Sequence, residues 1–258
     1  GRTPLTYLDL GTRRVRQPIH TNSPLERRLK TGAFVKTCEV RAPRTANLDA
    51  MIEQALLVRP AFDAVNATAF LNGKPSVPSP LAAAKLAALG IDAISQATCR
   101  DHTRTSFIAE LLQLQLSAVH NVLCLTGDYY HGTPTIQQVF DMDAAQMIFE
   151  ARHLRQTGII HFSGGKIAAP PRPFLGGAIN PFTEPANVPI RRLKQKVAAG
   201  VDFIQTQLIF DVARFQRFMH LVCQEGLDQE VFILAGVPVV TSAGALRALP
   251  NIPGVHVP

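Results

Sequence analysis

Apolar segments of two kinds alternate along most of the chain. Short, nearly continuous apolar runs are typical of strands with both faces covered, and longer segments with helical periodicity are typical of helices. The pattern predicts strands at 34–40, 64–67, 93–98, 122–125, 174–178, 203–207 and 231–235, and helices at 48–58, 81–89, 105–116, 143–156, 190–199, 212–225 and 243–249. This strict alternation predicts an α/β fold built on a parallel sheet.

A parallel sheet of this kind either closes into a barrel or stays open and doubly wound. No Gly-x-Gly-x-x-Gly motif opens the first predicted helix, so the dinucleotide-binding open sheet lacks its main signal. A chain of 258 residues has the size of one (β/α)8 TIM barrel. We predict a barrel domain over residues 31–258, preceded by a basic arm over residues 1–30. Because the pattern stops after the seventh unit, the eighth strand–helix unit is expected to be missing.

Composition narrows the class of protein further. Hydrophobic residues make up 47% of the chain and charged residues 17%, which excludes a disordered chain. No apolar run is long enough to span a membrane, and residues 1–16 lack the apolar core of a secretory signal. The four cysteines form no Cys-x-x-Cys pair, and Cys38, Cys99 and Cys124 lie in or beside apolar strands. We expect free thiols, no metal site and a reducing, cytoplasmic location.

The net charge of +7 is concentrated at the start of the chain. Residues 1–44 hold ten Lys and Arg and three acidic residues, and the remainder is balanced. The arm is interpreted as a solvated tail, or as a segment that docks a partner protein. Tyr7 is its only aromatic residue before the first strand, which argues against binding of nucleic acid. No nucleic-acid or membrane partner is predicted, and a homo-oligomer is left open.

Polar residues follow the predicted strands at their carboxyl ends, where barrel enzymes carry their active sites. They are Glu39, Asn66, Thr68, Gln96, Thr98, Arg100, Asp101, Thr126, Gly127, Asp128, Asn180, Gln205 and Gln207. A carboxyl group such as Glu39 at the end of an apolar strand would be desolvated, so its pKa would rise and it could donate a proton near neutral pH. Simpler interpretations remain: Glu39 as a surface carboxylate, Asp128 as a turn residue, and Gln205 bonded to Gln207.

Five blocks at these strand ends resemble the methylenetetrahydrofolate reductase family. They are CEVRAPRT at 38–45, QATCRD at 96–101, LCLTGD at 123–128, FLGGAINP at 174–181 and KVAAGVDFIQTQ at 196–207. Each block alone is a weak signal, but the five occur in the order and spacing of the family, from about Leu25 onward. The resemblance is to a divergent bacterial branch.

The resemblance implies an oxidoreductase of one-carbon metabolism that interconverts 5,10-methylenetetrahydrofolate and 5-methyltetrahydrofolate by hydride transfer. It implies FAD, with FMN as an alternative, and NADH or NADPH as electron donor. Glu39 matches the general acid and Asp128 the aspartate that favours a cationic folate intermediate. The resemblance assigns substrate to Gln207 and Gln205, and cofactor to Thr68, Gln96, Thr98, Thr126, Gly127, Asp128, Asn180 and Lys196.

The sequence departs from the family pattern at two of these cofactor positions. The pattern has a His where this chain has Gln96 and an Arg where it has Thr126. Losing an Arg removes a donor suited to phosphate or flavin oxygens. Three alternatives therefore stay open: a folate reductase without flavin, a pterin-dependent methyltransferase barrel, and a non-catalytic subunit of a complex.

Overall fold

The computed structural model describes residues 21–70, 74–130, 137–240, 242 and 244. They fall into two compact units, one within Ile19–Leu175 and the other from Gly176 onward. The predicted helix at 243–249 and the expected break before an eighth unit lie outside the described residues, as does most of the basic arm.

The described residues of the first unit form four complete parallel strands and five α-helices. The strands are β1 (Thr37–Val40), β2 (Ala64–Ala67), β3 (Ala93–Thr98) and β4 (Asn121–Leu125), hydrogen-bonded in the order β1-β2-β3-β4. The helices are α1 (Pro24–Lys30), α2 (Asp49–Val58), α3 (Ser79–Ala88), α4 (Arg104–Leu116) and α5 (Ala144–Thr157). Capping boxes at Thr103 and Asp143 satisfy backbone N–H groups where α4 and α5 begin.

The second unit continues the same alternation. Its strands are β5 (Phe174–Ile179, of which the first two residues precede the unit boundary), β6 (Phe203–Leu208) and β7 (Phe232–Gly236), parallel and paired in sequence order. Its helices are α6 (Asn187–Ala199) and α7 (Val212–Gln224). Gly200 ends α6 in the left-handed region with a φ of 99°, which a residue with a side chain rarely adopts. The predicted α/β alternation is confirmed for all seven strands.

The start of the chain differs most from the sequence interpretation. The first strand begins at Thr37 instead of residue 34, because Phe34 is 85% exposed and does not pair. Helix α1 was not predicted, and it lies within residues 1–30, which the sequence assigned to an arm. Leu25 and Glu26 are buried, so this part of the arm packs against the unit. Asn47, one residue before the N-cap Leu48 of α2, accepts a hydrogen bond from the Asp49 N–H.

A buried polar cluster holds α1 against the amino-terminal ends of the strands. Asp92 accepts hydrogen bonds from the Leu25 N–H at 2.8 Å and from the Asn121 side-chain amide at 2.7 Å. The Ser23 hydroxyl donates to Asn121 Oδ1 at 2.6 Å and also caps α1 by accepting from the Glu26 N–H. These contacts order a short basic helix that its own sequence would not stabilise.

None of the helices described by the structure combines the length and apolar character needed to cross a membrane.

Candidate active site

Four polar side chains share one face at the carboxyl end of the first unit's strands. Glu39 is in register with Asn66, and Gln96 and Thr98 follow on β3. Side chains two apart on a strand point the same way, so these four lie on the face away from the helices. Ser95 points to the opposite face and hydrogen-bonds to the serine that begins α3. The alternation of β1, β2 and β3 thus separates a helix-covered face from a polar one.

Among the residues that the structure describes, one side chain hydrogen-bonds to the Glu39 carboxyl group. Gln96 Nε2 donates a hydrogen bond to Glu39 Oε2 at 3.1 Å, and Gln96 Oε1 accepts one from the Ala69 N–H at 3.0 Å. Gln96 is only 9% exposed, whereas the Glu39 side chain is accessible to solvent. The Glu39 carboxyl group is therefore accessible to a ligand, and the buried Gln96 side chain fixes its position.

The protein around Glu39 raises the pKa of its carboxyl group. Desolvation by surrounding protein is the main cause; the hydrogen bond from Gln96 and the positive charge of Arg41 oppose it in part. This is the direction expected from the sequence. It occurs although the Glu39 side chain is accessible to solvent, because nearby protein atoms displace part of the water around the carboxyl group.

A buried threonine fixes the turn that follows Glu39. The Thr68 hydroxyl accepts a hydrogen bond from the Ala42 N–H at 3.0 Å, and the Thr68 N–H donates to the Val40 carbonyl at 3.3 Å. Thr68 is buried, so it positions the segments after β1 and β2 and presents little surface to a ligand.

Arg100, 3% exposed, connects three segments at the carboxyl ends of the strands. Its guanidinium pairs with both carboxylate oxygens of Asp101, at 3.0 and 2.7 Å. It also donates to the carbonyl of Phe70 at 2.8 Å and to the carbonyl of Asp128 at 3.1 Å. The Tyr130 ring lies 4.2 Å from the guanidinium carbon, and its hydroxyl donates to Asp101. Arg100 thereby fixes the backbone on which Asp128 stands.

The pKa shifts of Asp101 and Tyr130 agree with the hydrogen bonds that these two side chains make. Burial alone would raise the pKa of Asp101, but hydrogen bonds and charge from Arg100, with further hydrogen bonds from Thr98 and Tyr130, hold it below its ordinary value. Burial, followed by the charge of Asp101, raises the pKa of Tyr130 to about 12, so its phenol stays protonated and donates. The network is therefore a buried ion pair supported by further hydrogen bonds from Thr98 and Tyr130.

The loop after β4 presents Asp128 to solvent. Thr126 and Asp128 are exposed, and among the described residues neither side chain has a recorded hydrogen-bond partner. Gly127 between them has a φ of 81°, and a Cβ there would lie 3.0 Å from the Arg100 Cβ and 3.2 Å from the Thr98 Cβ. Only glycine fits this turn without displacing the Arg100 network.

His102 and Glu110 support the end of β3 from the helix side. His102 Nδ1 lies 2.7 Å from the Thr98 carbonyl and Nε2 lies 2.7 Å from Glu110. Burial lowers the pKa of His102, but the hydrogen bond and charge of Glu110 outweigh it, so the pKa is raised. Both ring nitrogens face oxygen atoms that can accept, and Thr98 is held through its carbonyl as well as through its hydroxyl, which donates to Asp101 at 2.6 Å.

The remaining predicted residues belong to the second unit. Gln205 and Gln207 lie on β6, and the β6–β7 register shifts between Gln205 and Leu208. Such an irregularity redirects side chains at the end of a strand. Asn180 follows β5 directly, and its side-chain oxygen accepts from the Phe182 N–H at 3.0 Å. Lys196 lies in the last turn of α6, so the structure does not bring it to the strand ends where Asn180 and Gln207 lie.

Comparison with known proteins identifies the family. The family model for methylenetetrahydrofolate reductase matches residues 24–258 of this chain. The chain belongs to the methylenetetrahydrofolate reductase family. The match begins at the first residue of α1, in agreement with the packing of that helix.

Curated relatives of the family are similar to this chain at modest identity. A probable methylenetetrahydrofolate reductase (NADPH) of Caenorhabditis elegans is 25% identical over 180 residues, which cover 70% of this chain and 25% of the relative. The 5,10-methylenetetrahydrofolate reductase of Pectobacterium carotovorum subsp. carotovorum is 27% identical over 171 residues, covering 66% of this chain and 51% of the relative. The chain thus spans between a quarter and about half of the length of these relatives.

Solved structures share the fold at low identity. A protein from Clostridium thermocellum, described as binding two copies of 5-methyl-5,6,7,8-tetrahydrofolic acid, matches with a TM-score of 0.62 and 13% identity over 92% of this chain and 76% of that one. A 2,3-dimethylmalate lyase of the PEP mutase/isocitrate lyase superfamily matches with a TM-score of 0.55 and 11% identity, over 88% and 81% of the two chains. These likenesses concern the fold alone.

The described residues of this family member do not supply the full set of flavin contacts that the resemblance implies. Gln96 uses both ends of its amide on Ala69 and Glu39, and the Thr98 hydroxyl is bonded to Asp101. Of the predicted cofactor side chains in the first unit, Thr126 and Asp128 are exposed. Among the described residues of the first unit, the predicted side chains exposed to a flavin therefore lie in the loop after β4.

Sequence reasoning named the strand-end residues but missed what organises them. Arg100 and Asp101 were noted in the QATCRD block without a role, and His102, Glu110 and Tyr130 were not identified. Charged residues that directly follow a buried strand were the available signal. Within the described residues, no group of His, Cys, Asp and Glu could hold a metal ion.

Proposed function

We propose that this chain is an enzyme that reduces 5,10-methylenetetrahydrofolate to 5-methyltetrahydrofolate, and that Glu39 is its general acid. The observation that carries the proposal is the raised pKa of Glu39 at an accessible position on the strand ends. A carboxyl group whose pKa is raised and which faces solvent is suited to protonating a bound ligand. Membership of the reductase family supports folate as that ligand.

In the proposed reaction Glu39 transfers its proton to one of the two folate nitrogens that are bonded to the bridging carbon. The bond between that nitrogen and the bridging carbon breaks, and the carbon becomes part of an iminium cation. The exposed carboxylate of Asp128 stabilises this cation, since Arg100 fixes the Asp128 backbone without neutralising its side chain. Hydride from a reduced donor then converts the iminium to the methyl group.

The proposed hydride donor is FAD or FMN reduced by NADH or NADPH, as the family resemblance implies. A second candidate is direct transfer from the nicotinamide without a flavin. It is favoured by the engagement of Gln96 and Thr98 in contacts within the protein. No step assigned to Glu39 or Asp128 depends on which donor is used.

The second unit contributes binding groups to the proposal. Gln207 and Gln205 are proposed to hydrogen-bond the folate from the end of β6, where the irregular register re-aims the strand. A reducing, cytoplasmic setting is also proposed, and the buried free thiols of Cys99 and Cys124 support it.

The test is an assay of the purified full chain with 5,10-methylenetetrahydrofolate and NADH or NADPH, with an absorption spectrum of the protein as isolated. Formation of 5-methyltetrahydrofolate is the expected result. A flavin spectrum would support the flavoprotein route, and turnover without flavin would support direct transfer. Methyl transfer to an added thiol without reduction would favour a methyltransferase instead, and binding of folate without either reaction would favour a non-catalytic subunit.

A further inference from the structure

The orientation of the Gln96 amide is set by its two neighbours. The Ala69 N–H is a donor, so the Gln96 atom that faces it at 3.0 Å must be the carbonyl oxygen. The NH2 group is then turned toward Glu39, 3.1 Å from Oε2. Gln96 can therefore only donate to Glu39, and it donates to one particular oxygen.

The backbone group that orients Gln96 is itself fixed. On one side of Ala69, the Thr68 hydroxyl accepts from the Ala42 N–H. On the other side, the Phe70 carbonyl accepts from the guanidinium of Arg100 at 2.8 Å. Thr68 and Arg100 are both buried. Hydrogen bonds on both sides of Ala69 thus fix the segment after β2, including the N–H that donates to Gln96. The side-chain amide of Gln96 cannot flip without losing this hydrogen bond.

We propose that Gln96 is a positioning residue for Glu39, and that it assigns the transferable proton to Glu39 Oε1. This inference rests on the proposed function of Glu39. Because the carbonyl oxygen of a protonated carboxyl group is a stronger acceptor than its hydroxyl oxygen, the hydrogen bond from Gln96 favours Oε2 as the carbonyl oxygen, and Oε1 carries the proton. In the transfer, the Oε1–H bond breaks, the proton goes to the folate nitrogen, and the electron pair stays on the carboxylate.

The hydrogen bond from Gln96 also stabilises the Glu39 carboxylate that remains after the proton has been transferred. Once Glu39 is ionised, the Gln96 amide donates to a charged oxygen, and hydrogen bonds to charged groups are stronger than those to neutral ones. Gln96 therefore favours release of the proton, in agreement with its effect of lowering the pKa of Glu39 against desolvation. A role for Gln96 as a cofactor contact alone predicts no such effect on Glu39.

The experiment replaces Gln96 and follows Glu39 directly. In Gln96→Leu the donor is lost, and we expect the Glu39 pKa, measured by ¹³C NMR of glutamate-labelled protein without cofactor, to rise by about one unit. We expect kcat for folate reduction to fall about tenfold or more while KM changes little, since the acid is misplaced and the ligand is still bound. The pH at which activity is lost on the alkaline side should move upward with the NMR value.

Gln96→His provides the rescue. A neutral imidazole can accept from the Ala69 N–H with one nitrogen and donate to Glu39 with the other, so it should restore most of the Glu39 pKa and of kcat. It also covers the case in which Gln96→Leu does not fold. Gln113→Leu, a change of the same kind on the exposed face of α4, is the matched control and should change neither quantity.

The outcomes separate this inference from the proposed function. An unchanged Glu39 titration in Gln96→Leu, or a Gln96→His protein that behaves like Gln96→Leu, would overturn the positioning role. Loss of cofactor binding with an unchanged Glu39 titration would instead make Gln96 a cofactor contact. If the unmodified chain reduces no folate but the titration still moves in Gln96→Leu, the hold of Gln96 on Glu39 stands and the proposed function fails.

Discussion

Glu39 stands at the carboxyl edge of the first unit's strands, and Asp92 stands at the amino edge. Desolvation raises the pKa of both side chains, that of Asp92 to about 6. Asp92 accepts from a backbone N–H of α1 through one oxygen and from Asn121 through the other. Glu39 accepts only from Gln96, and among the described residues its second oxygen has no recorded partner. Burial raises the pKa of both carboxyl groups, and the number of hydrogen-bond partners decides which of them has an oxygen available to a ligand.

This difference matches the division of labour in parallel α/β folds, where one strand edge carries chemistry and the other stability. The amino edge is closed by a polar cluster that ties a helix to the sheet. The carboxyl edge is accessible to solvent. Its buried side chains, above all Arg100, hydrogen-bond to the segments that carry the exposed side chains. The comparison predicts that changes at the two edges separate activity from stability.

The largest effect is expected from Glu39→Gln. The change keeps the shape of the side chain and its contact with Gln96 but removes the transferable proton. We expect the rate of methylenetetrahydrofolate reduction to fall by roughly 10²–10⁴, the range for loss of a general acid, with the melting temperature unchanged. Stopped-flow or steady-state assays beside thermal unfolding would check both parts. Loss of stability together with activity would contradict the contrast between the two edges.

The opposite pattern is expected for Asn121→Ala at the amino edge. Asn121 donates to Asp92 and to the Ala93 carbonyl and accepts from Ser23, so its loss leaves buried polar groups without partners. We expect the free energy of unfolding in urea to fall by about 1–3 kcal/mol, with kcat per folded molecule unchanged. Asn22→Ala, at an exposed neighbour of the same cluster, is the control and should cost little.

Gly127→Ala tests the carboxyl edge without touching a polar group. The new Cβ would meet the Cβ atoms of Arg100 and Thr98, neither of which can move freely. Gly164→Ala is a close control, because Gly164 has a similar positive φ of 71° and no atom within 4 Å of the added carbon. We expect both changes to cost backbone strain, Gly127→Ala to cost about 1–2 kcal/mol more, and only Gly127→Ala to lower activity. Equal effects would mean that the contact with Arg100 does not constrain the loop.

The features that sequence could predict are those determined by local pattern. The bounds of β2 and β3 match the apolar runs residue for residue, because those strands are buried on both faces. Glu39 and Asp128 were placed at strand ends for the same reason. Helix α1 was missed because seven residues rich in Arg and Lys resemble a solvated tail, and its stability comes from Asp92, far along the chain.

The side-chain partners within the site could not be predicted. Gln96 was assigned to a cofactor because it follows an apolar strand, but its contacts depend on the direction of the Ala69 N–H in a different segment. Arg100 shows the same limit, since four of its hydrogen bonds reach groups in three segments that only the fold brings together: Phe70, Thr126 with Asp128, and Val139. Residue type and position in the sequence thus indicated which side chains lie at the strand ends. The hydrogen-bond partners of those side chains depend on the tertiary structure.

The smallest effect is expected from the titration of Asp92, which makes the free energy of unfolding depend on pH. Measuring it tests the contrast between Asp92 and Glu39. Its pKa of about 6 in the folded protein lies above its ordinary value of 3.8 because burial disfavours the charged form. Between these two values the folded state keeps a proton that the unfolded state has released. The free energy of unfolding therefore falls as the pH rises from about 4 to about 6, and the loss is complete above the folded pKa.

Because Asp92 is partly exposed, we expect this contribution to be about 1 kcal/mol. Asp92→Asn should remove that part of the slope while lowering stability at every pH, since the Asn amide would place a donor against the Leu25 N–H or the Asn121 amide. Urea unfolding at a series of pH values would measure it, with the exposed Asp49→Asn as control. A slope that is unchanged in Asp92→Asn would show that the folded protein does not raise the pKa of Asp92, and the amino edge would then hold a charge, in contrast to the protonated acid proposed at the carboxyl edge.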